Sequence, residues 1–123
     1  DGNLIDASAI ASLAALLNAR MSDYEIRDGE VIYKPGYRSL PMKNRPITVT
    51  MGKIGNSLVV DPCLEEEQVM SARLTAAIDE SGRVCAMQKG GMEGLTIEET
   101  KAAVQIASKK ADEIRGKILE TTR

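Results

Sequence analysis

The sequence predicts an α+β fold in which a mixed or antiparallel sheet packs on helices in two layers. Three observations lead to this prediction. Residues 5–19 have Ala or Leu at most positions, which favours a helix. Between residues 47 and 89, apolar side chains recur at every second position, which indicates strands. After Thr96, apolar side chains recur three or four positions apart, which indicates an amphipathic helix.

The first helix, IDASAIASLAALLNA, has almost no polar face. Asp6 near its start suits the positive end of the helix dipole. Because apolar residues occur all around this helix, we expect it to be buried on most sides. The chain starts at Asp1 and continues directly into this helix, so we expect it to be a piece of a longer polypeptide.

Residues 21–45 are expected to be irregular. Asp28-Gly29 predicts a turn that leads into a short strand, and Pro35 is expected to end that strand. Further prolines and Gly36 interrupt the stretch that follows, as in a linker between subdomains.

The second half of the chain is expected to contain four strands in an antiparallel meander. Gly55-Asn56 and Glu80-Ser81-Gly82 are typical turn sequences. In the third strand, the apolar face consists of Met70, Ala72, Leu74, Ala76 and Ile78. The predicted strands are 47–54, 57–62, 69–78 and 83–89.

A loop containing Gly90, Gly91 and Gly94 is expected to lead into the final helix. Thr96 and Glu99 have the spacing of a capping box at its start. Its apolar stripe, which should lie on the sheet, consists of Ala103, Ala107, Ala111, Ile114 and Ile118.

Composition narrows the possible functions. The net charge is −2, which argues against nucleic-acid binding through bulk positive charge. There is no histidine, the usual general base at neutral pH and the commonest nitrogen ligand of metals. Cys63 and Cys85 have no paired spacing and fit two reduced thiols. No signal peptide or membrane-spanning run is visible, so we expect a cytoplasmic protein without a membrane partner.

An acidic stretch, 61-DPCLEEEQVMSARLTAAI-78, is the first candidate site. Carboxylates such as Asp61 and Glu67 could hold a divalent ion or act as a general acid. However, Arg73 occupies the position six residues after Glu67, where a second carboxylate could complete a pair. The alternative is a solvated run before a strand.

Two further segments could bind phosphate groups. The basic segment 34-KPGYRSLPMKNR-45 could grip a nucleic-acid backbone, or it could be a solvated linker. The glycines of Asp1-Gly2-Asn3 and Lys89-Gly90-Gly91 could present backbone N–H groups to a phosphate, or they could simply turn the chain.

Four blocks, taken together, closely resemble the RNase PH family: 1-DGNLIDASAIASLAALLNAR-20, 46-PITVTMGKIGNSLVVDP-62, 65-EEEQVMSARLT-75 and 84-VCAMQKGG-91. The similarity is greatest to the non-catalytic ring subunit of its archaeal exosome branch. It covers essentially the whole chain but only the second half of a full subunit. The resemblance implies an RNase PH-like fragment that lacks most of the first subdomain. Residues 1–45 would be the end of that subdomain, a helix plus linker, and residues 46–123 the second subdomain.

The resemblance also implies degenerate sites. In active family members, a Gly-Ser/Thr-Arg triplet at the start of the first helix binds the attacking phosphate. The matching residues here are Gly2, Asn3 and Leu4. Active members also carry two aspartates six residues apart, and the matching residues here are Glu67 and Arg73. We therefore expect no catalytic residue, metal or cofactor in this chain.

The function implied is that of a non-catalytic subunit alternating with a catalytic RNase PH-like paralogue in a hexameric ring with RNA-binding cap subunits. Such a ring degrades RNA from its 3′ end with inorganic phosphate. The subunit would shape the paralogue's active site and help to bind RNA, and would not be an enzyme alone. Candidate RNA contacts are Lys34, Arg38, Lys43 and Arg45. The alternatives are an active RNase PH-type phosphorolytic exoribonuclease and a free-standing α+β binding module, which a stable monomer would favour.

Overall fold

The computed structural model describes residues 1–122 and contains three helices and two antiparallel sheets. The predicted α+β class is therefore confirmed. The helices are α1 (Leu4–Asn18), α2 (Leu64–Val69) and α3 (Ile97–Thr121). The strands are β1 (Arg20–Arg27), β2 (Glu30–Ser39), β3 (Ile47–Ile54), β4 (Ser57–Val60), β5 (Ala72–Ile78) and β6 (Val84–Gly91).

Helix α1 confirms the helix predicted for residues 5–19, and the described residues of this chain bury only one side of it. Only Asp6 and Leu13 are buried, whereas the Leu4 and Leu16 side chains are 75% and 45% exposed. The reason is that α1 packs mainly against a single strand, β3. One strand covers one stripe of the helix and leaves the remaining apolar surface open.

The segment expected to be irregular, residues 21–45, contains the β1–β2 hairpin. The predicted turn is present, with Asp28 and Gly29 both at positive φ, as a two-residue hairpin turn requires. The prediction that Pro35 ends the strand is wrong, because β2 continues to Ser39. Pairing with β1 is irregular between Ser22 and Tyr24, where Pro35 lies opposite. Proline is tolerated at such a bulge because its missing N–H has no ladder partner to lose.

The four strands of the second sheet are arranged in the order β4-β3-β5-β6, so the predicted meander is wrong. Strand β3 lies between β4 and β5 and pairs antiparallel with both. Strand β5 therefore pairs with the other edge of β3 and not with β4. Gly90 and Gly91 belong to β6 and not to a loop.

The connection from β4 to β5 contains α2. The three consecutive glutamates, Glu65, Glu66 and Glu67, therefore lie on a helix and not directly before a long strand. The strand predicted for 69–78 starts only at Ala72. The Glu66 carboxylate accepts a hydrogen bond from the Cys63 backbone N–H at 2.9 Å, which satisfies the helix start. Acidic residues in the first turn also suit the positive end of the helix dipole.

The main core lies between the second sheet and α3. The predicted apolar face of β5 is buried, as are the facing residues of β3. Helix α3 begins with the predicted capping box of Thr96 and Glu99. Its buried stripe is rich in alanine, which lets the helix approach the sheet closely. That stripe contains Ala103, Ala107, Ala111 and Ile118, with Ile114 partly buried.

Arg115 fixes the far end of α3 to the sheet. Its side chain is only 8% exposed. The guanidinium donates hydrogen bonds to the Ile78 carbonyl at 2.7 Å and the Arg45 carbonyl at 3.0 Å, and it pairs with Asp112. The two carbonyl contacts join the helix to the end of β5 and to the segment before β3. The pair with Asp112, on the same helix, holds the guanidinium in place. Within residues 1–122, no helix is long and apolar enough to cross a membrane.

Asp79 organises the turn between β5 and β6. Its carboxylate accepts hydrogen bonds from the Ser81 hydroxyl at 2.7 Å and the Arg83 backbone N–H at 3.0 Å, and it pairs with the Arg83 guanidinium. The Ser81 hydroxyl, followed by the Arg83 backbone N–H, holds the pKa of Asp79 well below its usual range. These bonds favour the ionised carboxylate, so Asp79 stabilises the folded state only while it is charged.

We expect Asp79→Asn to destabilise the protein in a pH-dependent manner. Because the folded pKa is depressed, the contribution of Asp79 is complete above the unfolded pKa of about 3.9. It is lost as the pH falls from there towards the folded pKa. The difference in free energy of unfolding between the parent and the variant should therefore shrink below about pH 4. Urea unfolding at pH 3 to 7 measures it, with Asp28→Asn in the exposed hairpin turn as the control. A difference that is the same at all pH values would contradict the assigned role.

Candidate functional site

The start of α1 is packed tightly against the segment that follows β4. Gly2 has a φ of 71°, and a methyl group at this residue would lie 2.5 Å from the Pro62 carbonyl oxygen. Only glycine combines this conformation with such a close approach. The first two residues of the Gly-Asn-Leu triplet are therefore held against the chain itself.

Asn3 is the centre of a partly buried polar cluster. Its side-chain amide donates to Asp6 Oδ2 at 2.8 Å and to Asp61 Oδ1 at 2.6 Å. Its backbone N–H donates to Glu67 Oε1 at 2.8 Å. Asn3 has a φ of 41°, a left-handed conformation that asparagine adopts more readily than most residues. One residue thus brings together carboxylates that are up to 61 positions apart.

Asp6 connects this cluster to the sheet. Its carboxylate accepts hydrogen bonds from the Thr50 backbone N–H at 2.6 Å and the Thr50 hydroxyl at 3.0 Å. The Thr50 hydroxyl is also 2.8 Å from that of Thr75 on the neighbouring strand. The chain of bonds therefore runs from the first turn of α1 through β3 to β5.

Glu67 occupies the place at which α1 could receive an external anion. The free N–H groups at a helix start, together with the helix dipole, attract negative charge. Here the Glu67 carboxylate accepts the Asn3 N–H, and the carboxylates of Asp6 and Asp61 surround the Asn3 amide. An incoming phosphate would meet three carboxylates, each repelling it by on the order of 1 kcal/mol in a water-like medium.

Leu4 and Arg73 complete the positions singled out by the family resemblance. Leu4 is exposed and has no polar group to offer a phosphate. Arg73 lies on β5, with three guanidinium atoms 3.2–3.5 Å from where a methyl group at Gly90 would be. Glu67 lies on α2, and among the described residues no ion pair joins it to Arg73. The two positions therefore do not form a pair in this structure.

Two candidate RNA contacts, Lys34 and Arg38, lie on β2 of the hairpin. Lys34 pairs with Glu25 at 2.5 Å, and Arg38 lies 3.9 Å from Asp23. The Arg38 guanidinium also stacks 4.3 Å above the ring of Tyr24. Both cations thus have acidic neighbours on β1.

The other two candidates, Lys43 and Arg45, lie in the segment between the sheets. Lys43 is exposed. Arg45 Nη1 is 3.5 Å from Glu80, and the Arg45 backbone N–H donates to the same carboxylate at 2.9 Å. This N–H, more than the charge on the Arg45 side chain, lowers the pKa of Glu80. The four basic residues therefore do not form one continuous patch of unpaired charge.

Sequence patterns did not identify Asp6, Asp61, Thr50 and Thr75 as one cluster. The sequence indicates Asp6 only as a helix-start residue, and Thr50 and Thr75 only as strand residues. Their association depends on strand pairing, since Thr50 lies opposite Thr75. Within the part of the chain that the structure describes, no group of three or more acidic or cysteine side chains is arranged to hold a metal ion.

The chain matches a known family model. Residues 44–110, more than half of the chain, match the model of the 3′ exoribonuclease family, domain 2. This range includes the second sheet, α2 and the first part of α3.

Curated relatives match over nearly the whole chain. The exosome complex component Rrp42 of Pyrococcus horikoshii is 50% identical over 125 residues, which covers 100% of this chain and 46% of the relative. Rrp42 of Methanothermobacter thermautotrophicus is 43% identical, covering 93% of this chain and 42% of the relative. The chain thus spans less than half the length of these relatives.

Two solved structures also match nearly the whole chain. An archaeal exosome core matches with a TM-score of 0.81 and 33% identity, covering 96% of this chain and 45% of the matched chain. An Archaeoglobus fulgidus exosome with RNA bound to the active site matches with a TM-score of 0.79 and 32% identity, covering 95% and 44%.

Substituting Gly2 with alanine should destabilise the start of α1 through steric overlap with Pro62. We expect the free energy of unfolding to fall by about 2–4 kcal/mol, from the positive φ together with overpacking. Gly29→Ala is a matched control, because Gly29 also has a positive φ but nothing lies within 4 Å of the added methyl. That control should cost only about 1–2 kcal/mol. Urea unfolding of both variants measures the difference, and equal losses would show that the close approach at Pro62 is unimportant.

Proposed function

We propose that this chain, which belongs to the 3′ exoribonuclease (RNase PH) family, forms part of a non-catalytic subunit of an archaeal exosome ring. The relatives named Rrp42 and the exosome core structures support this proposal. In the proposed ring, the subunit alternates with a catalytic RNase PH-like paralogue, and RNA-binding cap subunits complete the complex. The paralogue releases nucleoside diphosphates from RNA by phosphorolysis, and the complex is cytoplasmic.

One observation carries the non-catalytic assignment: the Glu67 carboxylate occupies the start of α1. Its 2.8 Å bond to the Asn3 N–H uses a donor that a phosphate nucleophile would need. Leu4 supplies no guanidinium to hold a phosphate in bidentate fashion, and Arg73 supplies no carboxylate. The alternative, an active phosphorolytic enzyme, is disfavoured by all three features together.

The proposal divides the chain at residue 45, with α1 and the hairpin belonging to the first RNase PH subdomain. The second subdomain then contains the four-stranded sheet and α3. The apolar side chains that α1 exposes, Leu4 and Leu16 among them, favour a subunit with further cover over a free-standing binding module. In this assignment α1 lies between two subdomains and does not form an outer surface.

RNA binding is part of the proposal, with Lys34, Arg38, Lys43 and Arg45 as candidate contacts. Lys43 is the strongest of the four, because it is exposed and makes no ion pair among the described residues. Lys34 and Arg38 would have to exchange a carboxylate partner for a phosphate, which reduces their net contribution. The subunit would thus add modest positive charge to an RNA path formed mainly by other subunits.

The complete protein, without its paralogue, should not phosphorolyse RNA. A poly(A) substrate with phosphate and magnesium should yield no nucleoside diphosphate above background, whereas the same assay with the paralogue present should. The physical reason is that the anion site at α1 is filled by an internal carboxylate. Phosphate-dependent release of diphosphates by the purified protein alone would show that it is an active enzyme.

The double substitution Leu4→Arg with Arg73→Asp should not restore that activity either. Both lost charges return, but Glu67 still accepts the Asn3 N–H, and catalytic groups must be placed within about half an ångström. Adding Glu67→Asp as a third substitution shortens the side chain that carries this carboxylate, and therefore tests whether the carboxylate blocks the site. Robust turnover in the double variant would mean that the internal carboxylate does not block the site.

A further inference from the structure

Strand β6 is the outermost strand of the four-stranded sheet and packs mainly against β5. The order β4-β3-β5-β6 gives it one neighbouring strand along Val84–Gly91. Helix α3 packs on β3 and β5, and α1 packs on β3. Val84 and Met87, which pair with core residues of β5, are therefore still 41% and 48% exposed. Within the described residues, one long edge of this strand and most of both its faces are open.

The pairing with β5 determines which backbone groups of β6 point outwards. In an antiparallel ladder, residue pairs that share hydrogen bonds alternate with pairs that share none. The Met92 N–H donates to the Ser71 carbonyl at 3.1 Å, so the register of the ladder sets the remaining pairs. Met87 and Lys89 lie in pairs without mutual bonds and direct their N–H and C=O groups to the free edge. The residues whose N–H and C=O groups face β5 are Ala86, Gln88 and Gly90.

Other sheet edges of the chain are protected against further pairing, as edges of natural sheets usually are. Strand β4 has only four residues, and Asp6 on α1 bonds to the free edge of β3. Strand β2 contains Pro35, and four of the eight residues of β1 are charged. Strand β6 contains one charged residue, Lys89, whose Nζ donates to the Gly91 carbonyl at 2.7 Å. The rest of this long edge has no such protection in the described part of the chain.

The free edge of β6 fits an extended polypeptide better than a nucleic acid. At Met87 and Lys89 it presents donors and acceptors together, repeated about every 7 Å. Another strand supplies acceptors and donors in the same alternation. A phosphate group supplies acceptors only and would leave the β6 carbonyls unpaired, which is unfavourable once water is excluded. Apolar side chains of an added strand would also lie beside Val84 and Met87.

We propose that the free edge of β6 pairs with an extended strand of the neighbouring subunit of the ring, so that the sheet continues from one subunit into the next. This inference rests on the proposed ring assembly. The apolar surface of α1, assigned above to the subunit's own first subdomain, lies at the opposite edge, because α1 is bonded to β3 through Thr50. A second copy of this chain is not adjacent in a ring whose subunits alternate.

Amide hydrogen exchange of the complete protein, alone and assembled with its paralogue, tests the proposal. An added strand protects the amides that point towards it. The Met87 and Lys89 amides should exchange rapidly in the unassembled protein and at least about tenfold more slowly in the ring. The amides directed to β5, those of Ala86, Gln88 and Gly90, should be slow in both states and are the internal control.

Proline substitutions test the same alternation independently. Met87→Pro removes an N–H that points to the free edge, where proline is tolerated, so the unassembled protein should remain folded. Assembly should weaken at least about tenfold relative to Met87→Ala, which keeps the N–H and controls for the lost side chain. Gln88→Pro removes an N–H that bonds to β5 and should lower the melting temperature of the unassembled protein more than Met87→Pro does. Sedimentation across a dilution series measures assembly.

The possible failures have different meanings. Slow exchange at Met87 and Lys89 in an unassembled monomer would assign the edge to the rest of the subunit, and in an unassembled dimer to a second copy. Normal assembly with unchanged exchange, or with Met87→Pro as tight as Met87→Ala, would refute this inference and leave the proposed function intact. Failure of the unmodified protein to assemble with its paralogue would refute the proposed function itself.

Discussion

The hydrogen bond from the Thr50 backbone N–H to the Asp6 carboxylate determines where α1 lies. Strand β4 pairs only with Met51–Ile54, so the edge of β3 before Met51 has no neighbouring strand. A buried N–H without an acceptor costs about 1–3 kcal/mol. Asp6 supplies that acceptor at 2.6 Å from the first turn of α1, while the Asp61 N–H satisfies the Thr50 carbonyl. The helix therefore completes the edge of a sheet, and its start is placed beside the segment after β4.

This placement also determines which groups surround the first turn of α1. Once Asp6 is bonded to β3, Asn3 lies where its amide contacts Asp61 and its backbone contacts Glu67. The positive end of the α1 dipole is then compensated from within the chain. A serine or threonine in place of Asn3 could not donate to two carboxylates at once, because a hydroxyl has a single donor hydrogen. The amide and the internal carboxylates are thus complementary, and together they occupy the Asn3 donors that could otherwise meet an external phosphate.

Periodicity was sufficient to predict α1, α3 and the buried face of β5, because each has a regular apolar pattern set by a single element. It failed at Pro35, where a bulge allows a strand to contain a proline, and at α2, where a six-residue helix is too short to show a period. Pro62 followed by glutamates was a usable signal for that helix start. The sheet order and the Asn3 cluster could not be predicted, since both depend on pairings between residues far apart in sequence. The family resemblance singled out Gly2, Asn3 and Leu4 but gave no indication of the carboxylates that contact Asn3.

The distribution of charge further separates the roles of the basic residues. Between residues 20 and 39 there are four cations and four carboxylates, and three of the cations form ion pairs, two of them across the hairpin. Pairs at such exposed sites contribute little to stability, but they neutralise the long-range field that attracts nucleic acid. Lys43 differs from these cations, because it is exposed and forms no ion pair among the described residues. Its field is therefore not neutralised by a neighbouring carboxylate, whereas the hairpin cations already have carboxylates of their own.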